Sequence, residues 1–174
     1  MSKFYKIIHS IFEFVKYKLC YKKNICINWF NLIEGKLDIS INDNSKIIIE
    51  KKLMTRGPLY LRTLKNGKLF IGKNVFFNHN CSVTSMDNIS IGNNCMFGNN
   101  IVIVDHNHIN NSEKSNDYSY SPIIIEDNVW VGANSTILKG VTIGKNAVIA
   151  ANSLVNKNVP SGEVWGGIPI KKIK

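Results

Sequence analysis

The stretch IEDNVWVGANSTILKGVTIGKNAVIAANSLVNKNVP, residues 125–160, divides into six consecutive blocks of six residues. Each block opens on an aliphatic residue, at positions 125, 131, 137, 143, 149 and 155. Helices repeat every 3.6 residues and strands every two. A sustained period of six therefore predicts short strands joined by tight corners in a β-solenoid.

The same hexads occur upstream, from Ile71 to His108, and a fainter copy opens at positions 41, 47, 53 and 59. Of the twelve hexads from Ile71 onward, nine carry Asn at the fourth position and one carries Gly140, with Met86 and His106 as the exceptions. Asn and Gly adopt the left-handed backbone conformation that a sharp corner requires. The fifth position is small or β-branched and should face inward, so we interpret Cys81 and Cys95 as core residues, not catalytic ones.

These hexads resemble the hexapeptide-repeat acyltransferases. The motif DHNH (105–108), followed by SPIIIEDNVWVGANSTILKGVTIG (121–144), is similar to the galactoside and maltose O-acetyltransferase branch and to the small capsule and lipopolysaccharide O-acetyltransferases. The resemblance implies an all-β, left-handed parallel β-helix over residues 26–159, with an active-site loop at 107–121 and a C-terminal tail at 160–174. It also implies a homotrimer that uses acetyl-CoA and needs no metal.

The resemblance assigns the role of catalytic base to His106 and places Asn78 in contact with acceptor and thioester. Transfer of an acetyl group to a sugar hydroxyl needs a base for the hydroxyl proton and donors for the oxyanion that forms. We therefore expect direct transfer, with Asn78 as an orienting donor. Adjacent strand residues point to opposite faces, so we expect a backbone carbonyl, rather than Asp105, to orient His106. His108 is the rival base and otherwise a substrate contact.

The polar segment 107–121 interrupts the hexads and is predicted to be a lid over the site. Tyr118, Tyr120 and Trp130 are candidates for acceptor binding, although packing of the loop is an equal explanation for the tyrosines. For coenzyme A, the resemblance implies contacts with the backbone of two alanines, with a corner pair, and with two lysines of the tail: Ala133, Ala151, Asn156, Lys157, Lys171 and Lys174. Lys172 is expected to be solvated.

Residues 1–25 form a predicted basic amphipathic helix. Its apolar stripe comprises Phe4, Ile7, Ile8, Ile11, Phe12, Val15 and Leu19. The stripe either contacts an anionic membrane surface or packs on the open end of the solenoid. The chain carries 22 Lys and Arg against 12 Asp and Glu, a net charge of +10, and half of that excess lies in this segment. Its concentration there argues against a nucleic-acid partner.

Four functions are compatible with these sequence features. The leading hypothesis is a cytoplasmic acetyl-CoA-dependent O-acetyltransferase whose acceptor is a sugar hydroxyl of a bacterial surface polysaccharide (capsule, exopolysaccharide or O-antigen) or of its precursor, either free or lipid-linked. In its membrane version, residues 1–25 contact the cytoplasmic face of the inner membrane. The alternatives are a sugar-nucleotide N-acetyltransferase, a zinc enzyme of carbonic-anhydrase type that uses His79, His106 and His108, and a non-catalytic scaffold. No C-x-x-C spacing is present, so the cysteines are expected to be reduced thiols.

Overall fold

The computed structural model describes residues 3–109 and 117–174. Helix α1 (Lys3–Tyr21) and a 3-10 turn (Lys22–Asn24) precede the solenoid. Within the described ranges, no helix has both the length and the apolar character needed to cross a bilayer.

Short strands follow in chain order. The first half comprises β1 (Ile25–Ile27), β2 (Leu32–Ile33), β3 (Leu37–Ile41), β4 (Lys46–Ile49), β5 (Met54–Thr55), β6 (Leu59–Thr63), β7 (Lys68–Ile71), β8 (Phe76–Phe77), β9 (Cys81–Ser85), β10 (Asn88–Ile91) and β11 (Met96–Phe97). The second half comprises β12 (Val102–Val104), β13 (His106–His108), β14 (Tyr118–Tyr120), β15 (Ile123–Ile125), β16 (Trp130–Val131), β17 (Thr136–Leu138), β18 (Thr142–Ile143), β19 (Val148–Ile149), β20 (Leu154–Val155), β21 (Val164–Gly166) and β22 (Lys171–Lys172).

The strands form the three walls of a prism. Sheet A has the order β1-β4-β7-β10-β15-β18, sheet B the order β2-β5-β8-β11-β16-β19-β21-β22, and sheet C the order β3-β6-β9-β12-β17-β20. Neighbouring strands of successive coils pair in parallel, as in the register Ile47↔Leu69↔Ile89↔Ile123. The predicted all-β fold, a left-handed parallel β-helix with an N-terminal helix, is confirmed. Sheet B continues into the tail, where β22 pairs antiparallel with β21.

The hexad phases have the predicted roles. The residues that open the hexads are buried, and so are those at the fifth position, including Cys81 and Cys95, except for Asp87 and Asn107 in the two hexads that lack Asn or Gly at the fourth position. Eight of the nine predicted corner asparagines have positive φ, as does Gly140. They also form two ladders of side-chain amide hydrogen bonds, each running up one corner of the prism: Asn74–Asn94–Asn128–Asn146 and Asn80–Asn100–Asn134–Asn152.

The third corner, between sheets C and A, differs from the other two. Met86, His106, Gly140 and Asn158 all fall there, and none of them belongs to either asparagine ladder. His106, one of the two exceptions to the Asn or Gly pattern, does not have a positive φ. Asn158 is also not left-handed; its side-chain oxygen instead accepts a hydrogen bond from the Thr142 backbone N–H at 2.8 Å.

Helix α1 covers the N-terminal end of the solenoid, but not with the predicted face. Phe14 and Tyr17 are buried in the core, and the Ser10 and Tyr17 hydroxyls accept hydrogen bonds from the edge N–H groups of Ile33 and Ile39. The apolar stripe named above remains exposed. The expectation that the stripe itself packs on the open end is therefore wrong: a different face satisfies the sheet edge.

Candidate functional site

His106 lies where the chain leaves the solenoid. Strand β12 ends at Val104, Asp105 forms a bend, and β13 begins at His106. The imidazole Nδ1 lies 3.1 Å from Asp105 Oδ1, and the side chain is only 13% exposed. An Nδ1–H held by a carboxylate leaves Nε2 as the ring atom that can accept a proton. The expectation that Asp105 points away from His106 is wrong, because the bend interrupts the strand alternation.

The carboxylate of Asp105 is completely buried. Oδ1 also accepts a hydrogen bond from the Met86 backbone N–H at 2.8 Å. Oδ2 accepts from the Ser85 hydroxyl at 2.8 Å and from the Asp87 backbone N–H at 2.9 Å. A carboxylate held from four directions has a fixed orientation, so it also fixes the orientation of the His106 ring.

The segment predicted as a lid begins as a two-stranded antiparallel hairpin. His106 pairs with Tyr120 and His108 with Tyr118. The Tyr118 ring lies edge-on to His106, with centroids 5.7 Å apart, and against His108 at 4.5 Å. Four of the predicted residues therefore lie together at the third corner. The middle of the predicted lid, residues 110–116, lies outside the described residues.

Two lysines that the sequence analysis did not single out complete this group. Lys65 Nζ lies 4.9 Å from the centroid of the Tyr118 ring and 5.9 Å from that of Tyr120. The Lys139 ammonium donates to the Ser119 hydroxyl. Both lysines lie at the same corner, Lys139 on the coil after that of His106 and Lys65 two coils before it, so a count of residues per coil could have identified them. They fix the hairpin against the solenoid and give the corner positive charge.

A second group of predicted residues lies at the corner between sheets B and C. Asn78, Trp130 and Ala133 line one pocket of about 330 Å³. Phe76 and Met96, which the sequence analysis did not select, line the same pocket. Their register, Phe76↔Met96↔Trp130, forms an outward-facing apolar wall on sheet B. Apolar walls with a few polar groups are typical of small-molecule sites.

One chain does not bring the two groups together. Strand β9, Cys81–Ser85, runs from the corner of Asn78 towards the corner of His106. Five residues at about 3.3 Å each separate the corners by roughly 15 Å. His106 and Asn78 therefore cannot contact the same reacting atom within a single chain. Counting the hexads in threes would have predicted this separation, because the two residues fall in different thirds of the coil.

The residues expected to bind coenzyme A are divided in the same way. Ala133 and Ala151 stack on successive coils at the Asn78 corner, where a Cβ on Gly132 would lie 2.5 Å from the Ala151 nitrogen. Asn156 and Lys157 follow β20, two coils beyond His106 on its own corner. Lys171 and Lys174 are exposed in the tail. Lys172 is not simply solvated, because its ammonium lies 2.6 Å from Glu163 Oε1.

His79 and the buried cysteines lie apart from the His106 group. The His79 ring bonds the Gly57 carbonyl at 2.8 Å on the Asn78 corner, so the three-histidine arrangement does not form within one chain. Over residues 3–109 and 117–174, no three metal-ligating side chains cluster. Burial raises the pKa of the Cys81 thiol and raises that of Cys95 to about 11, as expected for core thiols.

Comparison with known proteins identifies the family of the repeat. The family model described as "Hexapeptide repeat of succinyl-transferase" matches residues 68–104 and 122–157, on either side of the hairpin segment. Galactoside O-acetyltransferase of Escherichia coli K12 is 34% identical over 119 residues, covering 67% of this chain and 58% of the relative. WbbJ of E. coli K12, whose name describes a lipopolysaccharide biosynthesis O-acetyl transferase, is 33% identical over 129 residues, covering 67% and 65%.

A solved relative is the hexapeptide-repeat acetyltransferase VCA0836 of Vibrio cholerae. It superimposes with a TM-score of 0.63 at 30% identity, covering 81% of this chain and 73% of its own. The structure of its complex with acetyl coenzyme A superimposes with a TM-score of 0.60 at 32% identity, covering 66% of this chain and 63% of its own. The chain spans 58–65% of the two E. coli relatives. With the repeat, the solenoid and these similarities taken together, the chain belongs to the hexapeptide-repeat acyltransferase family.

Proposed function

We propose that this protein is an acetyl-CoA-dependent O-acetyltransferase. Its acceptor is a sugar hydroxyl of a bacterial surface polysaccharide (capsule, exopolysaccharide or O-antigen) or of a precursor. The observation that carries the proposal is the buried Asp105 carboxylate 3.1 Å from His106 Nδ1. This contact sits at the point where the solenoid opens into a hairpin, and it is the arrangement that a general base requires.

In the proposed reaction, His106 Nε2 removes the proton of the acceptor hydroxyl while the hydroxyl oxygen attacks the thioester carbonyl. The tetrahedral oxyanion collapses with cleavage of the C–S bond, and the sulfur leaves with the proton returned by the imidazolium. The products are an acetyl ester and the free thiol of coenzyme A. Asp105 stabilises the imidazolium through its hydrogen bond to Nδ1.

The acceptor, in this proposal, lies against the hairpin. Tyr118 and Tyr120 offer aromatic faces to a sugar ring, and His108 offers a polar edge. Trp130 and the amide of Asn78 close the site from the second corner, with Asn78 as the donor for the oxyanion. Coenzyme A contacts the backbone of Ala133 and Ala151, with further contacts from Asn156, Lys157, Lys171 and Lys174 as the resemblance implies.

A homotrimer reconciles the two corners. Because about 15 Å separates the Asn78 corner from the His106 corner within one chain, the site is complete only if a neighbouring copy supplies the second corner. Three equivalent interfaces of a cyclic trimer would each join the His106 corner of one copy to the Asn78 corner of the next.

The names of the relatives support a saccharide acceptor, since one is a galactoside O-acetyltransferase and another is named for lipopolysaccharide biosynthesis. We place the reaction in the cytoplasm, where acetyl-CoA is available. Precursors of surface polysaccharides on lipid carriers would be reached through peripheral contact of residues 1–25 with the inner membrane.

The test of the reaction combines thiol release with product analysis. The purified chain is incubated with acetyl-CoA and a panel of neutral oligosaccharides and amino sugars, and each product is examined by mass spectrometry and by mild alkaline hydrolysis. An alkali-labile acetyl ester supports O-transfer. An alkali-stable amide would instead assign the N-acetyltransferase alternative, and absence of any acetyl-CoA turnover across the panel would reject the enzyme.

The test of the shared site is complementation. His106→Ala and Asn78→Ala chains, each inactive alone, are refolded together. In randomly mixed trimers about one quarter of the interfaces join an intact His106 to an intact Asn78. Recovery of roughly that fraction of wild-type turnover supports the trimeric site. No recovery from correctly assembled mixed trimers would contradict it.

A further inference from the structure

Helix α1 presents its apolar stripe away from the solenoid. The stripe (Phe4, Ile7, Ile8, Ile11, Phe12, Val15 and Leu19) occupies about 140° of arc at 100° per residue, and its centre lies about 130° around the axis from the packed residues. Phe4 is 73% exposed, Phe12 66% and Leu19 72%. Large side chains exposed along one helix face are typical of an interaction surface.

Hydrogen bonds prevent the helix from rolling to bury this stripe. Ser10 accepts from the Ile33 N–H at 2.8 Å and donates to the Lys6 carbonyl. The Tyr17 hydroxyl donates to the Leu37 carbonyl at 2.8 Å and accepts from the Ile39 N–H at 3.2 Å. Turning the stripe inward would break these bonds and leave edge groups of the first coil unpaired. The outward orientation is therefore fixed by the cap itself.

The first corner of the solenoid extends the stripe. Trp29 and Phe30 are exposed there, with Phe30 at 78%. Between them and the helix lies an apolar groove of about 720 Å³, lined in part by Ile7, Ile11 and Met54. The helix stripe, the aromatic pair and the groove form one surface, which we call the N-terminal apolar surface.

Lysines border this surface, and the nearby acidic groups are already paired. Residues 3–30 contain six lysines against Glu13 alone, and Glu13 lies 3.2 Å from Lys16. Lys18 Nζ lies 5.2 Å from the centroid of the Trp29 ring, and Lys52 lines the groove. Packing against a second copy would bring two such lysine sets together. An anionic partner is therefore favoured over self-association.

From these observations we infer that the N-terminal apolar surface docks on a bilayer containing anionic phospholipid, with the helix stripe and the Trp29–Phe30 pair in the headgroup region and the bordering lysines on the lipid phosphates. The inference deepens the membrane contact included in the proposed function and rests on that part of it.

Docking would also explain how a lipid-linked acceptor reaches the second corner. Met54 lines the groove and begins a row of apolar side chains on the outer face of sheet B, in the register Met54↔Phe76↔Met96↔Trp130. At about 4.8 Å per strand, Trp130 lies roughly 15 Å from Met54. This apolar ladder, exposed at Met54, Met96 and Trp130, thus connects the docking surface with the pocket that contains Asn78.

The experiment uses the full chain and co-sedimentation with vesicles. Vesicles of phosphatidylcholine alone are compared with vesicles that also contain phosphatidylglycerol, without acetyl-CoA or acceptor. We expect binding to the second kind only, reduced at least ~100-fold by Phe12→Glu with Leu19→Glu and about fivefold for each of Lys22→Gln and Lys23→Gln. Ile168→Glu, equally exposed in the tail, is the matched control and should bind normally.

Three results would overturn the inference: no binding of the wild-type chain to either vesicle, undiminished binding of the Phe12→Glu, Leu19→Glu variant, or loss of the oligomer in that variant by analytical ultracentrifugation, which would assign the surface to a second copy. Sedimentation needs no turnover, and transfer to a soluble saccharide needs no vesicle. Failure of docking and failure of the proposed reaction are therefore distinguishable.

Discussion

Replacing Asp105 by Asn tests whether the buried carboxylate positions His106. Asn preserves the shape but has one oxygen for the four donors that Asp105 satisfies. If that oxygen takes the place of Oδ1, it still accepts from Met86 and His106. Its NH₂ group then faces the Asp87 N–H. Ser85 can accept from this NH₂ once its single hydroxyl proton turns from Asp105 to the Lys68 carbonyl, which lies 3.1 Å away.

The structure therefore predicts two separate losses. One partly buried N–H, that of Asp87, is left without an acceptor, which destabilises the fold by at most about 1–3 kcal/mol. The hydrogen bond to His106 also loses its charged acceptor, which is worth about 1.5–3 kcal/mol when the imidazolium forms. The second loss corresponds to a roughly 10- to 100-fold decrease in kcat. KM for acetyl-CoA should change little, because Asp105 is buried and does not contact it.

The assay measures urea unfolding together with steady-state thiol release from acetyl-CoA. Ser85→Ala is the matched control, since it removes a donor from Oδ2 and leaves the Oδ1 contact with His106 intact. We expect Ser85→Ala to be destabilised but to retain kcat. If Asp105→Asn kept the wild-type kcat, or if Ser85→Ala lost as much turnover at equal stability, Asp105 would be a purely structural residue and the reasoning would be refuted.

Four further predictions concern the catalytic base, an asparagine corner, a buried thiol and the helix that caps the solenoid. His106→Ala should lower kcat by roughly two to four orders of magnitude; near-normal thiol release would reassign the base. Asn100 lies in the middle of a ladder with a φ of 57°. Asn100→Ala should lower the free energy of unfolding, measured by urea titration, by about 1–2 kcal/mol because Ala is strained in the left-handed conformation, and Asn100→Gly should lower it less. Equal losses in the two variants would contradict the strain argument. Burial raises the pKa of the Cys95 thiol to about 11, so Cys95 should resist iodoacetamide at neutral pH until the chain unfolds. Mass spectrometry should find the two exposed thiols, Cys20 and Cys26, labelled. The hydrogen bond from Lys6 lowers the pKa of Glu34 in the folded protein. The stability that this contact contributes is present at pH values above the pKa of Glu34 in the unfolded chain, and it is lost as the pH falls through the pKa in the folded protein. Acid should therefore weaken the amide hydrogen-exchange protection of α1 in the wild type more than in Glu34→Gln.

The fold could be predicted from the sequence because each hexad specifies locally which residues face inward and where the chain turns. An aliphatic residue at the first position and a small one at the fifth define the inside, and Asn at the fourth defines the corner. The amide ladders between asparagines could not be predicted in the same way, since they depend on alignment between coils. Asn at these corners therefore has two functions, a left-handed backbone and a hydrogen bond to the next coil.

The arrangement at the third corner was harder to predict for a local reason. Strand alternation places adjacent side chains on opposite faces, and that rule fails at Asp105 because the chain bends there to leave the coil. The N-terminal helix shows a similar limit. Its periodicity identified the apolar face correctly. It did not reveal that the Ser10 and Tyr17 hydroxyls, on another face, would bond the open sheet edge.

The position of the hairpin segment follows from how the corners are stabilised. Asn94 and Asn128 are 34 residues apart, whereas Asn128 and Asn146, one coil later, are 18 apart. Sixteen residues therefore leave the solenoid without displacing the ladder, which continues across them at 3.0 Å. Strand β12 likewise keeps its register, with Val104 between Thr84 and Leu138. An insertion at either asparagine corner would interrupt a ladder. The third corner has no ladder to interrupt, so the chain can carry a titratable group and a hairpin there without loss of the repeat.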